Sequence, residues 1–177
     1  GVGGTWTLRV ELGPSALAAH SLTYDSARGV TVLFRGMDGY YAGETWEWDG
    51  ESWTLRSTEG PSPRYLHALA YDSTRAVSVL FGGADDVVNS ETWEWDGTAW
   101  TPRGTTGPSP RYDHTLAYDS ARGVAVLFGG WGNDGQIGDT WELCADFPCD
   151  AVERFEVKLK HARRHCRIRA KAFTALP

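Results

Sequence analysis

Gly60-Pro-Ser-Pro-Arg-Tyr-Leu-His-Ala-Leu-Ala-Tyr-Asp-Ser-Thr-Arg-Ala-Val-Ser-Val-Leu-Phe-Gly-Gly83 returns 47 residues later as the segment Gly107 to Gly130, with 19 of the 24 positions identical. A looser third version starts at Gly13 and carries Ala16, Leu17 and Ala18 where the others have Pro-Arg-Tyr. His20, His67 and His114 are equivalent, as are Tyr24, Tyr71 and Tyr118. Trp46, Trp93 and Trp141 align too, the last after one inserted residue. A period of 47–48 residues suits a four-stranded propeller blade or the longest helical repeats.

Local patterning separates the two. His67-Ala-Leu-Ala-Tyr-Asp72 and Val77-Ser-Val-Leu-Phe81 are short runs of strand formers bounded by Asp-Ser and Gly-Gly turn signals. Glu91-Thr-Trp-Glu-Trp-Asp96 alternates large aromatics with polar residues, the period of two of a strand. Asp96-Gly97 supplies a tight hairpin, and Trp100-Thr101 opens a fourth strand. Asp72-Ser-Thr-Arg75 is the first hairpin turn, and Gly60-Pro-Ser-Pro63 can continue neither helix nor ladder, so it crosses from one unit to the next. Each repeat is therefore read as four antiparallel strands, a to d.

The residues now resemble a known family. A hydrophobic strand ending in Gly82-Gly83, followed by Trp93 and Trp100 with six residues between, is similar to the kelch repeat. Gly129, Gly130 and Trp141 repeat the pattern, whereas Arg35-Gly36 replaces the doublet in the first copy and the third copy lacks its second Trp. The resemblance implies an all-β fold, a kelch-type β-propeller segment of three four-stranded blades, with strand a lining a central channel and strand d outermost. Residues 1–143 are assigned to it: 1–9 as the last strand of a preceding blade, then blades at 10–58 and 59–105 and an incomplete one at 106–143. Trp6 lies 47 residues before Trp53 and is expected to open a strand d. Closure of a ring takes about four to eight blades. The chain is thus expected to be part of a larger propeller, its ring completed by further blades of the same chain or by another subunit, and to be poorly soluble or oligomeric alone.

Charge divides the chain. Residues 1–150 hold 9 Arg, no Lys and 21 acids, giving 9 − 21 = −12, and residues 151–177 hold 8 Lys and Arg against 2 acids, giving +6. All nine Trp precede residue 142. An acidic, Arg-only, Trp-rich segment argues against nucleic-acid binding by the propeller portion. No apolar run approaches a membrane span. The tail at 151–177 reads as a basic β-hairpin, Phe155-Val157-Leu159 against Cys166-Ile168-Ala170, starting a second β domain. Its charged face is read as the solvated side of a sheet in preference to an anion-binding one. In the linker 144–150, Cys144 and Cys149 are expected to form a disulfide, with two free thiols as the alternative. Together with the absence of Cys from the blades this suits an exported, extracytoplasmic protein.

Catalytic signals are weak. The three equivalent His occupy the same place in successive blades, so they converge on no metal, and each is expected to hydrogen-bond within its own blade. The kelch-like galactose oxidase group implies copper held by two Tyr and two His, with a Cys joined to one Tyr. No Cys lies in the propeller region, so neither that cofactor nor any other is expected here. No nucleophile elbow, phosphate loop or dinucleotide fingerprint is present. Asp85-Asp86 and Asn133-Asp134-Gly135 carry calcium-type oxygens, but hairpin turns use the same residues and that reading is preferred.

Function then rests on loops. The d–a connections (Pro61 to Tyr65, Pro108 to Asp113) and b–c connections (Gly83 to Ser90, Gly130 to Gly138) emerge on one rim, and the b–c loops differ most between copies. Tyr40, Tyr41, Arg64, Tyr65, Asp85, Asp86, Arg111, Tyr112, Trp131 and Asn133 are the candidate contact residues for a protein or glycan ligand. For Arg64 and Arg111 a second reading stands level, as partners of Glu91 and Asp139 within the blade. The expected function is a non-catalytic binding module. The alternative is part of a galactose-oxidase-like or glycan-processing enzyme whose catalytic blades lie elsewhere.

Overall fold

The structure is a computed structural model and describes residues 3–9, 13–36, 43–104 and 106–144. Three antiparallel sheets follow one another along the chain. The first is β1 (Ser21–Asp25), β2 (Val30–Phe34), β3 (Thr45–Trp48) and β4 (Trp53–Ser57), paired in that order. The second repeats it with β5 (Ala68–Asp72), β6 (Val77–Phe81), β7 (Thr92–Trp95) and β8 (Trp100–Pro102). The third has β9 (Thr115–Asp119), β10 (Val124–Phe128) and β13 (Thr140–Cys144), with β13 at its outer edge. A small hairpin, β11 (Trp131–Gly132) with β12 (Gly135–Gln136), fills the b–c loop of the third sheet and was not anticipated. No helix occurs among the described residues. The a, b and c strand readings therefore coincide with observed strands. Residues 3–9 differ: they form no strand, and Trp6 is fully exposed, because a strand d needs the edge of a strand c and none is paired with it here.

The turns form as their sequences dictate. Asp72 Oδ1 accepts the backbone N–H of Thr74 at 2.9 Å and of Arg75 at 3.1 Å, and Asp25 and Asp119 do the same in their own sheets. Gly97, at φ +95°, sits in the left-handed region that the c–d hairpin needs.

The same Asp anchors an arginine. Arg28 Nε donates to Asp25 Oδ2 at 2.7 Å and its Nη1 to Glu47 Oε1 at 2.6 Å, while Arg56 Nε from β4 reaches Glu47 Oε2 at 2.8 Å. Arg75, Asp72, Glu94 and Arg103 reproduce the arrangement in the second sheet. In the third, Arg122 binds Asp119 and Glu142. The first turn, third strand and fourth strand of a sheet are thus tied together by buried charge.

The sheets stack face to face. Val32 and Phe34 of the first pack against Leu69, Leu80, Trp95 and Trp100 of the second to make the core. Hydrogen bonds cross this interface: Trp95 Nε1 to Glu47 Oε1 at 3.1 Å, and Trp100 Nε1 to Thr45 Oγ1 at 2.7 Å. Trp95 of β7 stands directly opposite Trp100 of β8, with ring centroids 5.6 Å apart, and Trp93 pairs with Pro102. The four-residue turn Asp96–Ala99 sets that register.

Glu47 carries three donors while almost wholly buried, so Glu47→Ala leaves two guanidinium groups and an indole N–H without their acceptor. We expect a loss of about 3–5 kcal/mol by urea denaturation, against about 0.5 kcal/mol or less for Glu51→Ala on the exposed neighbouring turn.

Candidate functional site

The loops that were expected to share a rim do so, and they enclose a cleft of about 410 Å³ between the second and third sheets. Tyr65, Asp85 and Asp86 line it from the second sheet, and Tyr112 and Asn133 from the third. Ala84, Val87 and Val88 complete the wall, and Val87 is largely exposed. The two valines were missed in the sequence, because an apolar pair inside a variable loop gives no signal until the loop folds back. Trp131 is also exposed on this rim but lies outside the cleft. Tyr40 and Tyr41 fall outside the described residues.

Short bridges hold each loop. Tyr65 N donates to Ala84 O and Ala84 N to Tyr65 O, both at 2.9 Å, and Tyr112 and Trp131 exchange bonds of 3.0 and 2.8 Å in the same way. These reciprocal pairs need the chain to turn sharply just before them. Gly83, at φ +91°, makes that turn, and a Cβ there would stand 2.8 Å from His67 Cβ and 3.0 Å from Tyr65 O. Gly130 repeats it, 2.8 Å from Tyr112 O. The glycine doublet thus sets the floor of the rim.

Arg64 and Arg111 are not surface residues. Both side chains are fully buried beneath the rim and bind their own sheets. Arg64 donates to Glu91 Oε2 at 2.7 Å, to Ser62 Oγ at 2.8 Å and to Gly82 O at 3.2 Å. Arg111 takes both oxygens of Asp139 and the Gly129 carbonyl. Arg111 holds the Asp139 carboxyl down at about 2, and the Trp141 indole N–H adds to this from 2.7 Å. Glu91 is also lowered: burial works the other way, and the N–H of Trp93 and the Arg64 guanidinium outweigh it. The intrasheet reading of these arginines is therefore the correct one, since both guanidinium groups are buried and spend four (Arg64) and five (Arg111) hydrogen bonds on their own sheets. The first sheet achieves the same link differently. Leu17 stands at the position of Arg64, and Arg35, at the place of the first doublet glycine, reaches Glu44 Oε2 at 2.6 Å and Ser15 Oγ at 2.7 Å. The loss of the doublet in copy one is thus a relocation of the arginine.

In the cleft, Asp85 Oδ1 accepts Val87 N at 2.9 Å and Oδ2 accepts Ser62 Oγ at 3.0 Å. Burial favours its neutral form, but these bonds prevail and lower its pKa, so the cleft keeps a fixed negative charge at neutral pH. The self-contained Asx turn at Asp85 agrees with the preference for turn over calcium site. Among the described residues no group of three His, Cys, Asp or Glu is placed to hold a metal ion.

The equivalent histidines are a correction. His67 and His114 are buried, and their ring nitrogens make no well-formed hydrogen bond among the described residues, only weak approaches to the backbone of Arg64 and Phe34 and of Phe81 respectively. Each ring instead meets the edge of a phenylalanine on the preceding sheet, Phe34 at 5.2 Å and Phe81 at 5.5 Å between centroids. Desolvation, reinforced by the charge of Arg64, pushes His67 down to about 3. Desolvation and Arg111 bring His114 to about 4. They are neutral wedges between sheets.

Cys144 at the end of β13 is disulfide-bonded, and Cys149 lies outside the described residues.

With this geometry in hand, comparison with known proteins bears on the fold. No protein-family model and no curated protein matches the chain. Among solved structures it is similar to the one titled "Structure of YjhT", with 15% sequence identity, a TM-score of 0.58, and coverage of 69% of this chain and 36% of that one. The fold is all-β and propeller-like. The chain spans about a third of the length of that neighbour. No helix among the described residues is long and apolar enough to cross a membrane.

Because the folded state holds His67 and His114 neutral, the unfolded chain takes up protons first as pH falls below the ordinary histidine value of about 6.5. Stability therefore declines from pH 6.5 downward and levels off near the folded values of about 3 and 4. Carboxylates contribute only at more acid pH. Urea midpoints at fixed protein concentration should show about 2 kcal/mol lost per histidine between pH 6.5 and 5, and the combined His67→Leu and His114→Leu variant should lose that slope.

Proposed function

We propose that this chain belongs to a kelch-type β-propeller and serves as a non-catalytic recognition module of an exported protein, taking a glycan in the rim cleft between its second and third blades. The observation that carries the reading is the cleft itself. Its volume of about 410 Å³ falls within the range of small-ligand sites. Tyr65 and Tyr112 offer aromatic area from adjacent blades, and Asp85, Asp86 and Asn133 offer acceptors and an amide suited to sugar hydroxyls. A concave, carboxylate-bearing site suits an oligosaccharide better than a flat protein surface.

The framework supports that role. Arg64 and Arg111 are buried under the rim and bonded to their own sheets, so the loops rest on a rigid base. Loops of differing sequence on repeated scaffolding are where specificity is placed. The kelch assignment draws on the Gly82-Gly83 and Gly129-Gly130 doublets and the repeated Trp positions, and the disulfide on Cys144 supports export.

A glycan array probed with the wild-type chain should give a defined set of oligosaccharide signals. The combined Tyr65→Ala and Tyr112→Ala variant should weaken them at least about tenfold, as loss of two aromatic anchors costs upwards of 1.4 kcal/mol, with an unchanged melting curve. No glycan retained by the wild type, or equal retention by the variant, would sink the reading. Capture of a protein ligand by the wild type alone would move the same cleft to the protein class.

A further inference from the structure

The interface between neighbouring sheets is made twice in this chain, and each half of it is present once more without its complement among the described residues. Sheet one shows solvent the face that sheets two and three press onto a predecessor. Sheet three shows the face that sheets one and two offer to a successor. The burial contrast is large: Phe34 and Phe81 are 0% and 4% exposed, whereas their equivalent Phe128 is 58% exposed. On the opposite face Tyr71 is 7% exposed and its equivalent Tyr24 is 58%.

The orphaned halves match group by group. Phe34 and Phe81 receive His67 and His114 on their edges, and among the described residues Phe128 meets no such ring while His20 lies exposed at the other end. Thr45 accepts the Trp100 indole N–H and Glu47 that of Trp95. Their equivalents Thr140 and Glu142 are exposed, and the matching indoles are Trp53 and Trp48. Leu69 N donates to Ser21 Oγ, which pairs Leu22 N with the exposed Thr115 hydroxyl. The backbone agrees. Leu66 N donates to Ala19 O and Asp113 N to Leu66 O, each at 2.9 Å, with all three residues at φ between 53° and 56°. A next step in this row of bonds would run from Ala19 N to Asp113 O.

A fourth strand is supplied by the same operation. Glu47 and Glu94 each bind a second arginine from their own fourth strand, Arg56 and Arg103, whereas Glu142 binds only Arg122 among the described residues. Arg9 lies 47 residues before Arg56, is exposed, and belongs to the segment with Trp6 that forms no strand. The free edge of β13 is where that segment would pair.

We propose that two copies of this chain bind head to tail, the first sheet of each on the third sheet of the other, and that residues 5–9 of each copy become the fourth strand of the other's third sheet. A head-to-tail contact either closes or runs on as a filament. Two copies bring six sheets, within the range of about four to eight at which propellers close. The occupant is a second copy because the two faces complement each other in shape, hydrogen bonding and charge, and because the contact continues an interface the fold already uses twice.

Sedimentation velocity of the 177-residue chain should show a discrete dimer. Phe128→Asp and Tyr24→Arg change side chains that are already exposed, so each should keep the wild-type far-ultraviolet spectrum and sediment as a monomer. Mixed one to one, these two variants should form a heterodimer, because one intact pair of faces survives between them. Thr140→Val removes only an exposed hydroxyl and should weaken the dimer about a hundredfold, as one buried indole N–H in each of the two interfaces loses its acceptor. It carries the test if a charged variant fails to fold. A monomeric wild type, an undisturbed Phe128→Asp dimer, or a mixture that stays monomeric would each overturn the proposal.

Discussion

A buried carboxylate in the third strand of the first and second sheets organises this molecule. Glu47 and Glu94 sit out of water, where an unpaired charge would be prohibitively costly, and each is met by two arginines of its own sheet. One arginine comes from the first turn and the other from the fourth strand, so the carboxylate fixes how far the hairpins slide past one another. Glu47 also accepts the indole of the next sheet, which ties the internal order of one sheet to the position of its neighbour. Burial of apolar surface between sheets supplies the drive, and the charged node supplies the register.

The rim follows from a second use of the same chemistry. Arg64 and Arg111 fasten the d–a loop to the start of strand c, and the glycine doublet lets the intervening backbone pass close by. The first sheet keeps the bond while moving the arginine to position 35, so the link between these elements matters more than which strand provides it. Side chains above this layer, Tyr65, Asp85, Tyr112 and Asn133, are then free to vary without loosening the scaffold. The histidines serve the opposite purpose. Their rings give up hydrogen bonds to fill the seam between sheets, and their depressed basicity is the electrostatic trace of that burial.

Much of this was legible in the chain. The 47-residue repeat, the alternating Trp strands, the Asp-led first turn and the left-handed glycines are local signals, and each formed where it was read. Five expected contact residues, Tyr65, Asp85, Asp86, Tyr112 and Asn133, gathered in one cleft, because loops at equivalent repeat positions must emerge together. Other features depended on what lay opposite. Whether Trp93 or Trp95 faces Trp100 is a matter of cross-strand register, which a two-residue difference in the turn decides. Whether Arg64 points to a ligand or to Glu91 could not be separated by composition, since both readings use the same exposed-looking loop.

Sequence alone thus determined the repeat, the strand count of each copy and the positions of the turns, because these reside in backbone preferences and in side-chain alternation over a few residues. Only the tertiary structure decided which faces meet. It turned the histidines onto a neighbour's phenylalanine, sank the rim arginines, and left Phe128 and Tyr24 in solvent while their equivalents are covered. The physical reason is that burial belongs to a pair of surfaces, and identical repeats acquire different environments from their place in the stack.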